Sequence, residues 1–185
     1  MPKNNVIIKD KNTVYIDKRA KIGENVIIYE NNRIEGNCEI GDNVTIFPNS
    51  FVHDSVIGKG SKIYSSRIEN SKVGSCVFVG PYSHIRSKSC ICDFVKISSF
   101  CELKNATIGK RTRLNNLVIV QNAKIGCDCK IKNMVSIGEF QKNQVACVGD
   151  NVEIGQKVAI VLPVVIESGA KIEAGTIVNK DILMN

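Results

Sequence analysis

The strongest constraint on this chain is a spacing. Ile16, Ile22, Ile28, Ile34, Ile40 and Ile46 recur every six residues without a slip. A helix cannot use that period, because 3.6 residues per turn would sweep the stripe right around the cylinder. A strand alternates its side chains with period two, so residues i−2 and i share a face and can both point inward. The residues two before these isoleucines are mostly small: Ala20, Val26, Asn32, Cys38 and Val44. Such a six-residue unit supplies one short strand and one corner. Three units close a triangular coil, and successive coils stack as parallel strands about 4.8 Å apart. The expected fold is all-β: a parallel β-helix of hexapeptide repeats.

The beat can be followed along most of the chain. Residues 1–15 read as a leading segment with short strands at 6–8 and 14–16. Regular coils follow from 16 to 52. The interval then shortens to five at Val52 to Ile57, Ile63 to Ile68 and Ile68 to Val73, with Ser61, Ser66 and Ser71 keeping the inward slots. A five-residue interval implies a tightened corner. From Val73 the six-residue beat returns through Val79, Ile85, Ile91, Ile97 and Leu103; Ile108 then comes five later and Leu114 six later, and Val120, Ile125, Ile131 and Ile137 carry the pattern on. Residues 138–147 are polar and lack inward aliphatics, so they read as a loop ejected from the coil, where function concentrates on rigid scaffolds. The beat resumes at Val148, Ile154, Ile160, Ile166, Ile172 and Val178. With no linker and no shift in composition, residues 16–180 form one domain, followed by a short tail, 181–185.

Composition agrees with a narrow prism: 43% of residues are hydrophobic but only 5% aromatic, with no Trp. No apolar run approaches the ~18 residues that a membrane span needs, and the polar N-terminus lacks the apolar core of a secretion signal. A cytoplasmic protein is expected. The net charge of +7 reads either as a Lys-rich solvated surface or as attraction for an anion such as a sugar phosphate or coenzyme A. Nucleic acid is disfavoured, because the basic residues are scattered and no aromatic platform accompanies them. Of the eight cysteines, Cys38, Cys101 and Cys129 fall in inward slots that suit a small buried thiol, and no C-x-x-C pair is present. Free thiols in a reducing compartment are expected. Zinc-dependent hydration, found on one branch of left-handed β-helices, needs three His ligands at a subunit interface; this chain has only His53 and His84.

Several segments carry a resemblance. Residues 79–86, Val-Gly-Pro-Tyr-Ser-His-Ile-Arg, resemble the Gly-Pro-Phe-Ala-Arg-Leu-Arg segment in the acetyltransferase half of bifunctional bacterial N-acetylglucosamine-1-phosphate uridylyltransferase/glucosamine-1-phosphate acetyltransferase. Residues 100–109, Phe-Cys-Glu-Leu-Lys-Asn-Ala-Thr-Ile-Gly, resemble its Phe-Val-Glu-Ile-Lys-Lys-Ala-x-Leu-Gly. Residues 122–126 and 172–178 are similar to its Asp-Ala-Glu-Ile-Gly and Ile-Ala-Ala-Gly-Thr-Thr-Val. The resemblance spans about residues 16–180. It implies a left-handed parallel β-helix, a homotrimer about the long axis, acetyl-transfer sites between subunits and acetyl-CoA as acyl donor. The family's nucleotide-binding half has no counterpart in these residues. This chain alone is therefore not expected to make a nucleotide sugar, and a separate nucleotidyltransferase chain is a candidate partner.

The same resemblance implies site residues. The family's sugar-phosphate-binding Arg and Lys match Arg86 and Lys104. The chemistry suits them, since a guanidinium grips a phosphate through two hydrogen bonds and a lysine adds a point charge. The family's base is the His of a Gly-His-Leu-Thr-Tyr run. Here that run is Asn115-Asn116-Leu117-Val118-Ile119, so Asn116 replaces the base and Ile119 the tyrosine. An amide can orient an amine but cannot deprotonate it near neutral pH. The family's loop Asn-Tyr aligns with Glu139 and Phe140, and a loop carboxylate with a pKa raised by burial could act as base. Two readings stand: an acyltransferase on a phosphorylated or other anionic amine with Glu139 as its base, or a trimeric sugar-phosphate-binding or assembly module without chemistry.

Overall fold

The computed structural model describes residues 5–138, 144–161 and 163–184. Within them the regular structure is strand alone. Most strands are two or three residues long and parallel, wound into a solenoid of about nine turns. The brevity follows from the repeat, since each six-residue unit must spend half its length on a corner. The coil has three faces. One is a ten-stranded sheet running from Ile7–Ile8 to Lys171–Ile172. The other two are runs of a seventeen-stranded sheet, and they join where Glu102–Ile108 and Ile119–Ile125 bend from one face to the next. The expected fold is thus present: a left-handed parallel β-helix of hexapeptide repeats.

Register places like above like. On the ten-stranded face Ile28, Ile46, Ile63, Val79, Ile97, Leu114, Ile131, Ile154 and Ile172 are successive partners. Rung-to-rung hydrogen bonds such as Lys62 N–H to Val77 O at 2.8 Å and Tyr64 N–H to Val79 O at 2.9 Å hold them there. Both inward slots of each unit are filled as the spacing requires. Ile85, Leu103 and Val120 are fully buried, and so are Asn32, Ser61, Cys38 and Cys129 at the preceding inward positions. Buried polar groups there are satisfied within the wall: Ser61 Oγ donates to Gly74 O at 2.8 Å and accepts from Val77 N–H at 3.0 Å. All eight cysteines are free. Ile16 and Ile22 are only half-buried, because a terminal coil has a neighbour on one side alone. Among the described residues no helix is long and apolar enough to cross a membrane.

The shortened corners have one device in common. Each five-residue interval places a single residue at positive φ: Asp54 (42°), Ser65 (37°), Asn70 (47°), Asn105 (48°) and Asn122 (47°). Asn and Asp tolerate this region best among residues with a side chain, and the six-residue corners use the same device at Asn25, Asn31, Asn43 and Asn49, where φ is 54–61°. Of the segment expected as an ejected loop, 138–147, residues 139–143 lie outside the described residues, and its last two residues belong to the strand Ala146–Val148.

Glycine matters where rungs approach most closely. A Cβ on Gly58 would stand 2.5 Å from the backbone carbonyl carbon and oxygen of Gly74, with no side chain to yield. A Gly→Ala change at an unstrained site usually stabilises by restricting the unfolded chain. Gly58→Ala should instead cost about 1–3 kcal/mol, as an overpacked core does, seen as a lower midpoint in urea unfolding.

Candidate active site

The candidate site is built on one face from the residues that flank each buried aliphatic. In His84–Arg86 the buried Ile85 forces His84 and Arg86 outward. One rung on, Leu103 does the same for Glu102 and Lys104. The register pairs His84 with Glu102 and Arg86 with Lys104. The two cations expected at the anion site therefore stand one above the other, about one strand spacing of 4.8 Å apart. The next rung continues the column with Gln121 opposite Lys104 and Ile119 opposite Glu102.

Diagonal ion pairs stitch this face together. Arg86 donates from Nη2 to Glu102 Oε1 at 2.5 Å, while its Nε is buried with no hydrogen-bond partner among the described residues. A buried donor left unpaired costs roughly 1–3 kcal/mol, so Arg86 keeps unused capacity for an acceptor oxygen. Arg67 grips Glu69 from two nitrogens, Nε to Oε1 at 2.6 Å and Nη2 to Oε2 at 3.0 Å. His84 Nε2 meets the same Glu69 Oε1 at 2.8 Å. Hydrogen bonding from Arg67, outweighing burial and helped by His84, lowers the Glu69 carboxyl from the usual 4.5 to about 2. Sequence reasoning missed the partners Glu69 and Glu102. The signal was available, since with coils of 16 to 18 residues Glu69 and Glu102 fall one turn either side of the 84–86 strand.

Asn116 lies on the corner leading into this face, three residues before Ile119. It is exposed, and its side chain takes part in the corner. Asn116 Oδ1 accepts from Ser99 N–H at 3.2 Å, and its own N–H donates to Asn133 Oδ1 at 3.2 Å. Beside it Phe100, Leu117, Ile119, Met134, Val135 and Ser136 line an apolar hollow of about 250 Å3. Tyr82, Phe100, Leu117 and Met134 run up this corner as an exposed ridge, all with φ near 60°. The structure thus brings Arg86 and Lys104 together and puts Asn116 at the adjoining corner. Glu139 and Phe140 fall outside the described residues.

The Glu69 network has a measurable consequence. A carboxyl with a depressed pKa in the folded state stabilises the fold above its unfolded value and loses that contribution as pH falls through its folded value. The native chain should lose stability from about pH 4.5 down to about 2. Glu69→Gln should flatten the urea-midpoint curve across that window.

Comparison with known proteins places this geometry. Residues 47–131 match the family described as GlmU-like, C-terminal hexapeptide, and residues 19–54 match bacterial transferase hexapeptide (six repeats). The chain is 34% identical over 182 residues to the bifunctional protein GlmU of Clostridium novyi, covering 97% of this chain and 40% of that one. It is 36% identical over 185 residues to that of Clostridioides difficile, covering 97% and 39%. The chain thus spans about two fifths of the length of the curated relatives it matches. Among solved structures, a UDP-N-acetylglucosamine acyltransferase from Bacteroides fragilis 9343 superposes with a TM-score of 0.67 at 23% identity, covering 94% of this chain and 68% of that one. The Francisella novicida UDP-N-acetylglucosamine acyltransferase gives 0.63 at 15%, covering 92% and 65%. At these identities the two structures speak for the fold. The chain is a left-handed parallel β-helix of hexapeptide repeats, and over nearly all of its length it is similar to part of the bifunctional GlmU proteins.

Proposed function

We propose that the protein transfers an acyl group from a coenzyme A thioester, acetyl-CoA in the first instance, to an amine on a phosphorylated sugar or a similar anionic acceptor. The observation that carries this reading is the in-register pair Arg86 and Lys104, together with the unpartnered, buried Nε of Arg86. Two cations one rung apart match a phosphate, with the guanidinium supplying direction and the ammonium charge. The similarity to bifunctional GlmU supports a coenzyme A thioester as the acyl donor in this reading. The protein acts as a homotrimer in this reading. The ridge of Tyr82, Phe100, Leu117 and Met134 supports it, since bulky apolar residues held at positive φ in solvent suit a surface that another subunit covers. A separate nucleotidyltransferase chain would act on the product.

One observation favours a second reading. Asn116 stands in the place of the family's base and spends its side-chain oxygen on Ser99 N–H. A binding or assembly module could keep the anion grip without the reaction. The two readings separate in a coenzyme A release assay against a panel of amino-sugar phosphates. Turnover is expected, with Arg86→Ala and Lys104→Ala each raising the acceptor KM about 10–100-fold, the loss of one hydrogen bond to a charged group. Phosphate-ester binding in calorimetry with no coenzyme A released from any acceptor would establish the module instead.

A further inference from the structure

Resting on the acyl-transfer reading above, we propose that His84, aligned by Glu69, is the general base of this site. Asn116 cannot serve, because a neutral amide has no basic lone pair and its oxygen is engaged with Ser99. The chain has two histidines, and both lie on the face that carries Arg86. The two side chains are exposed alike, at 36% and 35%, and differ at their ring nitrogens. His53 Nε2 pairs with Asp54 Oδ2 at 3.1 Å, and its Nδ1 is buried without a partner among the described residues. His84 instead borders a cavity of about 460 Å3 lined by Glu69, Asn70, His84, Arg86, Ser87 and Lys88.

The pairing with Glu69 settles which ring nitrogen is basic. Arg67 keeps Glu69 ionised, and an ionised carboxylate only accepts hydrogen bonds. The 2.8 Å contact therefore requires the proton on His84 Nε2, which leaves the Nδ1 lone pair free. This is the nucleophile–base–orienter logic of acyl-transfer sites, with the carboxylate fixing the tautomer and stabilising the imidazolium as it forms. The other charges facing the ring are Arg67 and Glu102, its partners on the adjacent rungs, with Arg86 two residues along its own strand. Arg86 and His84 share the outward face about 7 Å apart. An anion gripped at Arg86 thus holds an amine a few bonds away beside the ring.

The step balances. The neutral amine attacks the thioester carbonyl carbon and forms the C–N bond, while His84 Nδ1 takes the proton from nitrogen. The tetrahedral adduct then collapses, the C–S bond breaks, and the imidazolium returns the proton to the departing thiolate. Amide and free thiol are the products, and no oxidant or further reactant is needed.

The test uses the full chain with acetyl-CoA and glucosamine 1-phosphate, measuring coenzyme A release against pH. His84→Gln should lower kcat about 10²–10⁴-fold, the usual worth of a general base. It should change the acceptor KM little and abolish the acid limb of the kcat/KM profile. Glu69→Gln should lower kcat less and move that limb. Since both side chains are on the outer face, unchanged circular dichroism will show that the coil persists. Wild-type turnover with His84→Gln fully active, or with Glu139→Gln alone inactive, overturns the assignment of His84 and leaves acyl transfer standing. A wild-type chain that releases no coenzyme A overturns the acyl-transfer reading itself, and this base with it.

Discussion

The structure depends on parallel backbone pairing kept in register over about nine turns. Each rung exposes the strand edge that the next one satisfies, through N–H to O distances near 2.9 Å along every face. Because partners coincide exactly from coil to coil, aliphatic side chains stack on aliphatic side chains and the interior fills with Ile, Val and Leu, relieved by Ser, Cys and Ala at the tighter slots. A slip of one residue would turn the entire inward set to solvent. Register is therefore the variable that glycines such as Gly58 protect, where a Cβ would meet the backbone of the next rung.

The same register makes a rigid array of the outer surface. A residue next to a buried aliphatic has one vertical neighbour above, one below, and diagonal neighbours within reach of long side chains. On the site face this produces two linked sets, Arg67–Glu69–His84 and Arg86–Glu102, with Lys104 beneath Arg86. Glu102 holds one arm of Arg86 and leaves Nε unpartnered. An incoming anion must compete with that carboxylate, so the affinity of this site reflects a balance between two acceptors for one guanidinium. Charge pairs this exposed contribute little to stability when isolated. Their stronger effect here is on orientation, since each fixes the rotamer of its neighbour.

The fold was legible in the sequence to an unusual degree because a single period carries it. The six-residue beat, the shortened intervals after Val52, Ile63 and Leu103, and the inward Cys38, Cys101 and Cys129 all correspond to buried positions in the wall. The placement of Arg86 and Lys104 outward on neighbouring rungs could be read from resemblance and flanking position. The partnership of His84 with Glu69 was missed, although coil length places Glu69 one turn away: the two are 15 residues apart, and only the summed corners of that coil fix the diagonal contact between them. So was the corner bond of Asn116, whose substitution for a histidine was visible as chemistry lost but not as a side chain built into the turn.

By itself, then, the sequence determined what points inward. Hydrophobic periodicity is a local property, and a strand's alternation converts it directly into an inside and an outside. Which outward residues become neighbours was decided only by the tertiary structure. Adjacency across the wall is the sum of every corner between two rungs, and one five-residue corner in place of six changes which charge a given arginine or histidine faces.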